Sequence, residues 1–337
     1  MRAVRMTIFG AGSIGCYVGG CLAAAGAHIT LVARQRVIDE IQQHGLTVTD
    51  YLGRNEHVPA DRLQLLTELP PSHECDLVLV TVKSAATQEA ANALKASVGD
   101  HVPVISFQNG IHNADELLAH LKGNPVLAGM VPFNVIGAGQ GKYHQGSAGQ
   151  LEVQAATLPP GTQAAFEAAR LALTQHPDMK AVLWGKLLLN LNNPVNALSG
   201  VPLKEELSQR NYRRCVALAQ REALAMMRLA GIQPAKVTPL PSRLLPVLMN
   251  VPDWLFTRAA RKLLAIDPLA RSSMWEDLEA GRTTEIDWIN GEVIKLAKHL
   301  GRNAPVNAKL IELIRAAEQG GKRDWNGKAL LEQLTKA

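Results

Sequence analysis

The stretch Val4–Gly20, VRMTIFGAGSIGCYVGG, decides the fold. Val4–Phe9 reads as a β-strand and Ser13–Ala25 as a helix, joined by Gly10, Ala11, Gly12, Ser13, Ile14 and Gly15. In such a loop Gly10 permits a tight turn, Gly12 lets the backbone approach a pyrophosphate, and Gly15 lets helix and strand pack closely. The helix N-terminus then faces the phosphates. A lone G-x-G-x-x-G is weak evidence, but the strand–turn–helix setting points to a dinucleotide site. The alternative is a glycine-rich turn with no ligand.

Outward from the loop, short β-rich runs alternate with helical stretches, the pattern of a parallel α/β sheet. His28–Ala33 reads as a second strand, and Asp76–Val82 as a buried one because it is apolar on both faces. Val102–Phe107 reads as another, followed by a helix over Asn113–Leu121. The glycine-rich, alternating stretch from Val126 to Leu158 predicts further strands closing this domain. Past His176 the periodicity becomes helical over Val182–Leu198, Asn211–Leu229, Ser273–Ala280, Thr284–Leu300 and Asn307–Gln319. Gly231 and Gly301 sit where they would end the preceding helices. The expected architecture is α/β: a Rossmann-type dinucleotide-binding domain over 1–178, then an all-helical C-terminal domain over 179–337.

A length of 337 residues suits two domains, and 47% hydrophobic residues suffice for a packed core, which excludes disorder and low-complexity scaffolds. The surplus of 35 basic over 30 acidic residues is too small to announce a nucleic-acid binder. Cys16, Cys21, Cys75 and Cys215 show no C-x-x-C spacing, so neither a disulfide framework nor a zinc site is expected. Apolar runs such as Leu77–Val80 and Leu187–Leu189 are too short to span a bilayer, and the N-terminus lacks the apolar core of a signal peptide. The expectation is a cytoplasmic protein that partners neither nucleic acid nor membrane. Much of the positive charge is local: Lys236–Arg271 holds six basic and two acidic residues, in and at the edge of a proline-rich segment spanning 234–268. There Trp254–Ile266 would place Arg258, Arg261 and Lys262 on one helix face.

An NAD site usually places an acidic residue at the end of the second strand, to bond the ribose 2′-hydroxyl. Here that strand ends Ala33-Arg34-Gln35-Arg36, and a guanidinium suits a 2′-phosphate, so NADP(H) is expected. Arg34 is the better candidate; Arg36 reads equally well as a solvated helix start. Lys83 directly follows a strand and would face the ligand crevice, the alternative being a solvated loop cation. Asn109, in Gln108-Asn109-Gly110, occupies the same edge, where its amide can meet a nicotinamide or a substrate.

In the second half, Lys186, Asn190 and Asn193 fall on one face of the leucine-rich helix Val182–Leu198. Buried polar groups need partners, so this is either an interhelical hydrogen-bond network or a ligand-facing stripe. In the second case a desolvated lysine could transfer a proton near neutral pH. Ser273 and Glu276 have capping-box spacing, and Glu285 reads as a first-turn acid.

Taken in order, G-A-G-S-I-G, Lys83, Q-N-G at 108–110, W-G-K-L-L-L-N at 184–190 and S-M-W-E-D-x7-E-I-D at 273–287 resemble the ketopantoate reductases (2-dehydropantoate 2-reductases). The resemblance covers essentially the whole chain. It implies NADPH-dependent reduction of the 2-oxo acid ketopantoate to pantoate, in pantothenate biosynthesis. It implies Lys186 as proton donor to the keto oxygen, and Glu285 as an aid to lysine positioning and to substrate and cofactor binding. Asn109, Asn190 and Ser273 would line the cofactor and substrate site. The family includes dimers, so a homodimer is among the assemblies it allows. The family's lysine helix carries a further asparagine two turns on; a gapless count lands on Pro194, and a shift by one gives Asn193. The large proline-rich segment leaves room for another branched or larger 2-oxo acid. A related NADP-dependent 2-hydroxyacid or opine-type dehydrogenase is the alternative among enzymes. A non-catalytic NADP-binding sensor is the alternative outside them.

Overall fold

The G-x-G-x-x-G turn connects β1 (Arg5–Phe9) to α1 (Ser13–Ala24), the middle of an alternating β/α array. The structure, a computed structural model, describes residues 3–259 and 270–336. It divides into two compact units, Met1–Met179 and Lys180–Ala337. In the first, β2 (His28–Val32), α2 (Gln35–His44), β3 (Leu46–Asp50), β4 (Asn55–Val58) and β5 (Leu63–Leu66) follow α1. Then come β6 (Leu77–Val80), α3 (Thr87–Ser97), β7 (Val104–Ser106), α4 (Asn113–His120) and β8 (Val126–Met130). The unit ends with β9 (Val135–Gly139), β10 (Lys142–Gln145), β11 (Leu151–Gln154), α5 (Thr162–Ala168) and β12 (Leu173–His176).

Eight strands form one sheet in the order β12-β11-β8-β7-β6-β1-β2-β5. It is parallel throughout except between β8 and β11. A second sheet, β4-β3-β10-β9, was not read from the sequence in its β3–β4 part, where Asn55–Val58 (NEHV) is short and polar. Helix α1 is buried without interruption from Gly15 to Ala23 because it lies between the two sheets. A Cβ on Gly19 would sit 2.7 Å from Leu31 of β2, and one on Gly20 would sit 2.6 Å from Val48 of β3. The glycines of CYVGGC thus let both sheets approach the helix.

The second unit is helical: α6 (Met179–Asn190), α7 (Asn193–Ser199), α8 (Leu203–Ser208), α9 (Arg210–Leu229), α10 (Leu245–Asn250) and α11 (Asp253–Ala259). After the undescribed residues come α12 (Ser273–Glu279), α13 (Ile286–His299), α14 (Pro305–Glu318) and α15 (Gly327–Thr335). Gly231 and Gly301 adopt φ of +70° and +65° just past α9 and α13, the left-handed turn that ends a helix. Among the described residues no helix is long and apolar enough to cross a membrane.

Two expectations are corrected here. The helix read over Val182–Leu198 is two helices. Pro194 has no N–H to offer the Asn190 carbonyl and its ring crowds that carbonyl, so α6 stops at Asn190. The chain tightens through Asn192 N–H to the Leu189 carbonyl, and Pro194 then sits in the first turn of α7. Asn193 therefore does not continue a stripe along one helix. The cap of α12 is Ser272, whose Oγ accepts the Trp275 N–H at 3.1 Å; Ser273 is the first helical residue and is exposed.

The proline-rich segment is anchored by Arg213 of α9. This fully buried side chain donates to the Leu207, Met249 and Val251 carbonyls and pairs with Asp253 at 2.8 Å. Its guanidinium lies 4.2 Å from the ring centre of buried Phe256. Arg258 is exposed on α11, whereas Arg261 and Lys262 lie outside the described residues.

Candidate active site

In an open parallel sheet, ligands meet the carboxyl ends of the strands. Strand adjacency brings four expected positions to that edge in the order β7-β6-β1-β2. Asn109 lies three residues past β7, Lys83 three past β6, the glycine loop directly after β1, and Arg34 two past β2.

The three glycines differ in what surrounds them. Gly10 has φ +97°, and a Cβ there would strike Val82 Cγ1 at 2.4 Å and the Val82 backbone nitrogen at 2.6 Å. At Gly15 it would meet Thr81 Oγ1 at 2.6 Å and Ile8 at 3.0 Å, so this glycine serves helix–strand contact. At Gly12, which is exposed, nothing lies closer than the Gly10 carbonyl at 3.9 Å. Neither turn geometry nor protein packing demands a glycine there, which matches the place such loops keep clear for a close phosphate approach. Gly12 is also the N-cap of α1; it supplies no side-chain cap, and the first turn holds no acid to repel an anion. Backbone bonds from Gly10 and Ala11 to the Val32 carbonyl, at 3.0 and 2.9 Å, hold the loop against β2. These residues fit a dinucleotide pyrophosphate.

Arg34 is exposed and caps the start of α2 through its backbone. Among the described residues its guanidinium faces no carboxylate, whereas Arg36 pairs with Glu40 at 3.6 Å. Lys83 is exposed where its strand gives way to a short 3-10 turn.

Asn109 is held by a buried polar network that sequence reading missed. Ser84 Oγ donates to the Asn109 carbonyl at 2.8 Å, and Asn113 Nδ2 donates to that carbonyl and to Ser84 Oγ. Gln108 Nε2 donates to Thr87 Oγ1 at 2.8 Å, and Ser106 Oγ donates to Gln108 Oε1 at 2.9 Å. Satisfied buried networks of this kind rigidify what they touch. The signal available in sequence was three polar residues, Ser106, Gln108 and Asn113, around an otherwise apolar strand end.

In the second unit Lys186 lies on α6, a helix whose Val182, Leu183, Leu187 and Leu188 are all buried. Burial lowers its ammonium to about 8, against the opposing pull of the Glu285 carboxylate. Lys186 and Glu285, 99 positions apart in the chain, are thus within electrostatic reach. Glu285 stands immediately before α13, and the Thr284 N–H beside it donates to Glu318 Oε1 at 2.8 Å. Arg315 holds Glu318 from behind at 2.8 Å and also binds Asp287. Asn190 ends α6 and Asn193 opens α7, both half-buried. The Asn193 carbonyl accepts from Ser272 Oγ at 3.2 Å, which brings the start of α12, with Ser273, to the break between α6 and α7. The unit therefore gathers Lys186, Glu285 and a set of neutral polar groups at helix ends.

Residues 6–157 match the family described as ketopantoate reductase PanE/ApbA, and residues 178–318 match its C-terminal counterpart. The 2-dehydropantoate 2-reductase of Archaeoglobus fulgidus is 28% identical over 95% of this chain and 100% of its own length. That of Pyrococcus horikoshii is 27% identical, with coverage of 94% and 99%. Among solved structures, a PanE/ApbA family ketopantoate reductase from Ralstonia eutropha JMP134 is 29% identical with a TM-score of 0.79, covering 94% of this chain and 99% of that one. A D-mandelate dehydrogenase at 20% identity, TM-score 0.76, covering 94% of this chain and 99% of that one, shares the fold. The chain belongs to the ketopantoate reductase PanE/ApbA family, and it is an oxidoreductase that works with a nicotinamide dinucleotide.

Proposed function

We propose that the chain reduces the keto group of 2-dehydropantoate, with NADPH as the reductant and Lys186 as the proton donor. The observation that carries this is the desolvated Lys186, at about 8, with Glu285 as its electrostatic partner. An ammonium in that range is still mostly protonated at neutral pH yet gives up its proton readily. When bound, the reduced nicotinamide supplies a hydride to the keto carbon. Lys186 passes a proton from Nζ to the oxygen on which charge develops, leaving a 2-hydroxy acid and a neutral amine.

Glu285 favours the protonated form of Lys186 between turnovers. Asn190, Asn193 and Ser273 supply neutral donors and acceptors for the carboxylate and hydroxyl ends of the oxo acid, orienting it without adding charge. Asn109, fixed by Ser84 and Asn113, offers its amide to the nicotinamide and substrate. Gly10, Ala11, Gly12, Ser13, Ile14 and Gly15 hold the pyrophosphate, with Lys83 adding positive charge at the same sheet edge. Arg34 takes the 2′-phosphate, which selects NADPH over NADH.

The test is turnover across a panel of 2-oxo acids with NADPH and NADH in parallel. The expected result is highest kcat/KM for 2-dehydropantoate with NADPH. Another 2-oxo acid ranking far above it would replace the substrate, and equal use of NADH would remove Arg34 from its role.

A further inference from the structure

Glu206, on α8, is fully buried and takes no part in the proton transfer. Its Oε2 accepts from Nδ2 of Asn196 at 2.9 Å and from Nδ2 of Asn192 at 3.4 Å. Asn196 spends its other amide hydrogen on the Val201 carbonyl, and its Oδ1 accepts the Ser272 N–H at 2.8 Å. Ser272 closes the chain by donating to the Asn193 carbonyl while it caps α12. One side of this chain of bonds is the break that carries Asn190 and Asn193. The other is the first turn of the helix that opens with Ser273.

We infer that Glu206 is a positioning residue: through Asn196 and Ser272 it sets the spacing between Asn193 and Ser273 at which the oxo acid is held. The inference rests on the proposal that those two residues bind the substrate. An apolar side chain could fill the same volume, but it would leave the Asn192 and Asn196 amides buried without acceptors, a costly arrangement. A charged carboxylate would be costly as well, because no cation pairs with it among the described residues. What surrounds Glu206 is the two amides on α7 and its approach, Tyr212 and Cys215 on α9, and its neighbour Glu205. Burial pushes the carboxyl up to about 8. With its proton on, Oε1 becomes a donor in a region where Asn192 Oδ1 is a buried acceptor without one. A glutamine offers the same pair of one acceptor and one donor group, so it should substitute where alanine cannot.

The test compares wild type, E206A and E206Q as full-length enzyme. With 2-dehydropantoate and NADPH, E206A is expected to raise KM for the oxo acid about tenfold while KM for NADPH stays within about twofold. E206Q should restore the oxo-acid KM to within about threefold of wild type. Hydrogen exchange of the Ser272 amide, which needs no substrate, should quicken in E206A and not in E206Q. An E206A enzyme with wild-type KM and wild-type exchange overturns the inference, as does E206Q as impaired as E206A. Should E206A fail to fold, N196A cuts the same link without touching the carboxyl, and unchanged KM and exchange there refute it equally. If the wild type does not turn over 2-dehydropantoate, the proposed substrate falls, and the exchange measurement still decides whether Glu206 couples the two segments.

Discussion

Replacing Lys186 by methionine removes the proposed proton donor while keeping a side chain of similar length on the same helix. The shift of the ammonium from 10.5 to about 8 corresponds to roughly 3 kcal/mol of penalty on the charged form. The fold therefore gains nothing in stability from the charge, and K186M should melt no lower than wild type. Catalysis should suffer much more: a positioned general acid contributes about 10²–10⁴-fold, and kcat should fall by that factor. The pH profile gives a second, independent readout. The donor must be protonated, so wild-type kcat should be level below pH 7 and fall above about 8, with roughly a tenth of the plateau left at pH 9. K186R keeps a charge that does not titrate in this range, so its residual rate should show no such fall. Steady-state kcat from pH 6 to 10, measured with NADPH oxidation and checked for a rate-limiting chemical step, decides the matter. A K186M enzyme within threefold of wild type, or a wild-type kcat flat to pH 10, would refute Lys186 as the acid.

Four other outcomes follow from particular geometries. G12A places its methyl in open space, so the unfolding free energy should stay within about 0.5 kcal/mol while NADPH binds at least about tenfold more weakly. G10A should instead lose about 2–4 kcal/mol of stability, since φ is +97° and the methyl meets Val82 backbone; equal stability of the two variants by urea titration would contradict this division. R34A should cost about ten- to a hundredfold in kcat/KM for NADPH and little for NADH, whereas R36A, already tied to Glu40, should change the NADPH value by less than about threefold. Finally, Glu206 is raised in the fold to about 8 from an ordinary 4.5, so its contribution to stability is full below 4.5 and gone above 8. Relative to E206Q, which has no proton to lose, the wild type should weaken across that window by at most roughly 4–5 kcal/mol; a difference independent of pH would refute it.

The dinucleotide loop was legible because its chemistry is local: one strand end, one turn and one helix start lie within twelve residues. Arg34, Lys83 and Asn109 were legible for a related reason, since each follows an apolar run closely enough to mark a strand end. What brings them side by side is the order β7-β6-β1-β2, which hydrophobic pattern does not encode. The break after Asn190 was missed because leucines continue the helical period up to it, while the proline that ends the pattern lies four residues further on. The cap at Ser272 was missed because two adjacent serines satisfy the same motif and only the backbone distinguishes them. Ser84, Asn113, Asn196 and Glu206 act through partners from 4 to 76 positions away, and no spacing rule finds such pairs.

Were Asn193 to take the place of the asparagine that the family carries two turns past its lysine, the break would accommodate its standing one position earlier. Within a continuous helix, moving a residue by one position turns its side chain through about 100° and takes it off its face. Between Asn190 and Pro194 the helix is interrupted, and a one-residue difference is absorbed by the link at Leu191 and Asn192. Pro194 follows Asn193 in the first turn of α7, where its missing N–H costs nothing and its fixed φ suits the restart of the helix. The Ser272 hydroxyl holds the Asn193 carbonyl, and Asn196 holds Ser272, so Asn193 is held from the start of α12 as well as through the link to α6. Lys186 and Asn190 are bound to one helix and must keep their interval of four. Asn193 opens another, and on the proposal that Glu206 acts through Asn196 and Ser272, its place is set by those contacts rather than by its interval from Lys186.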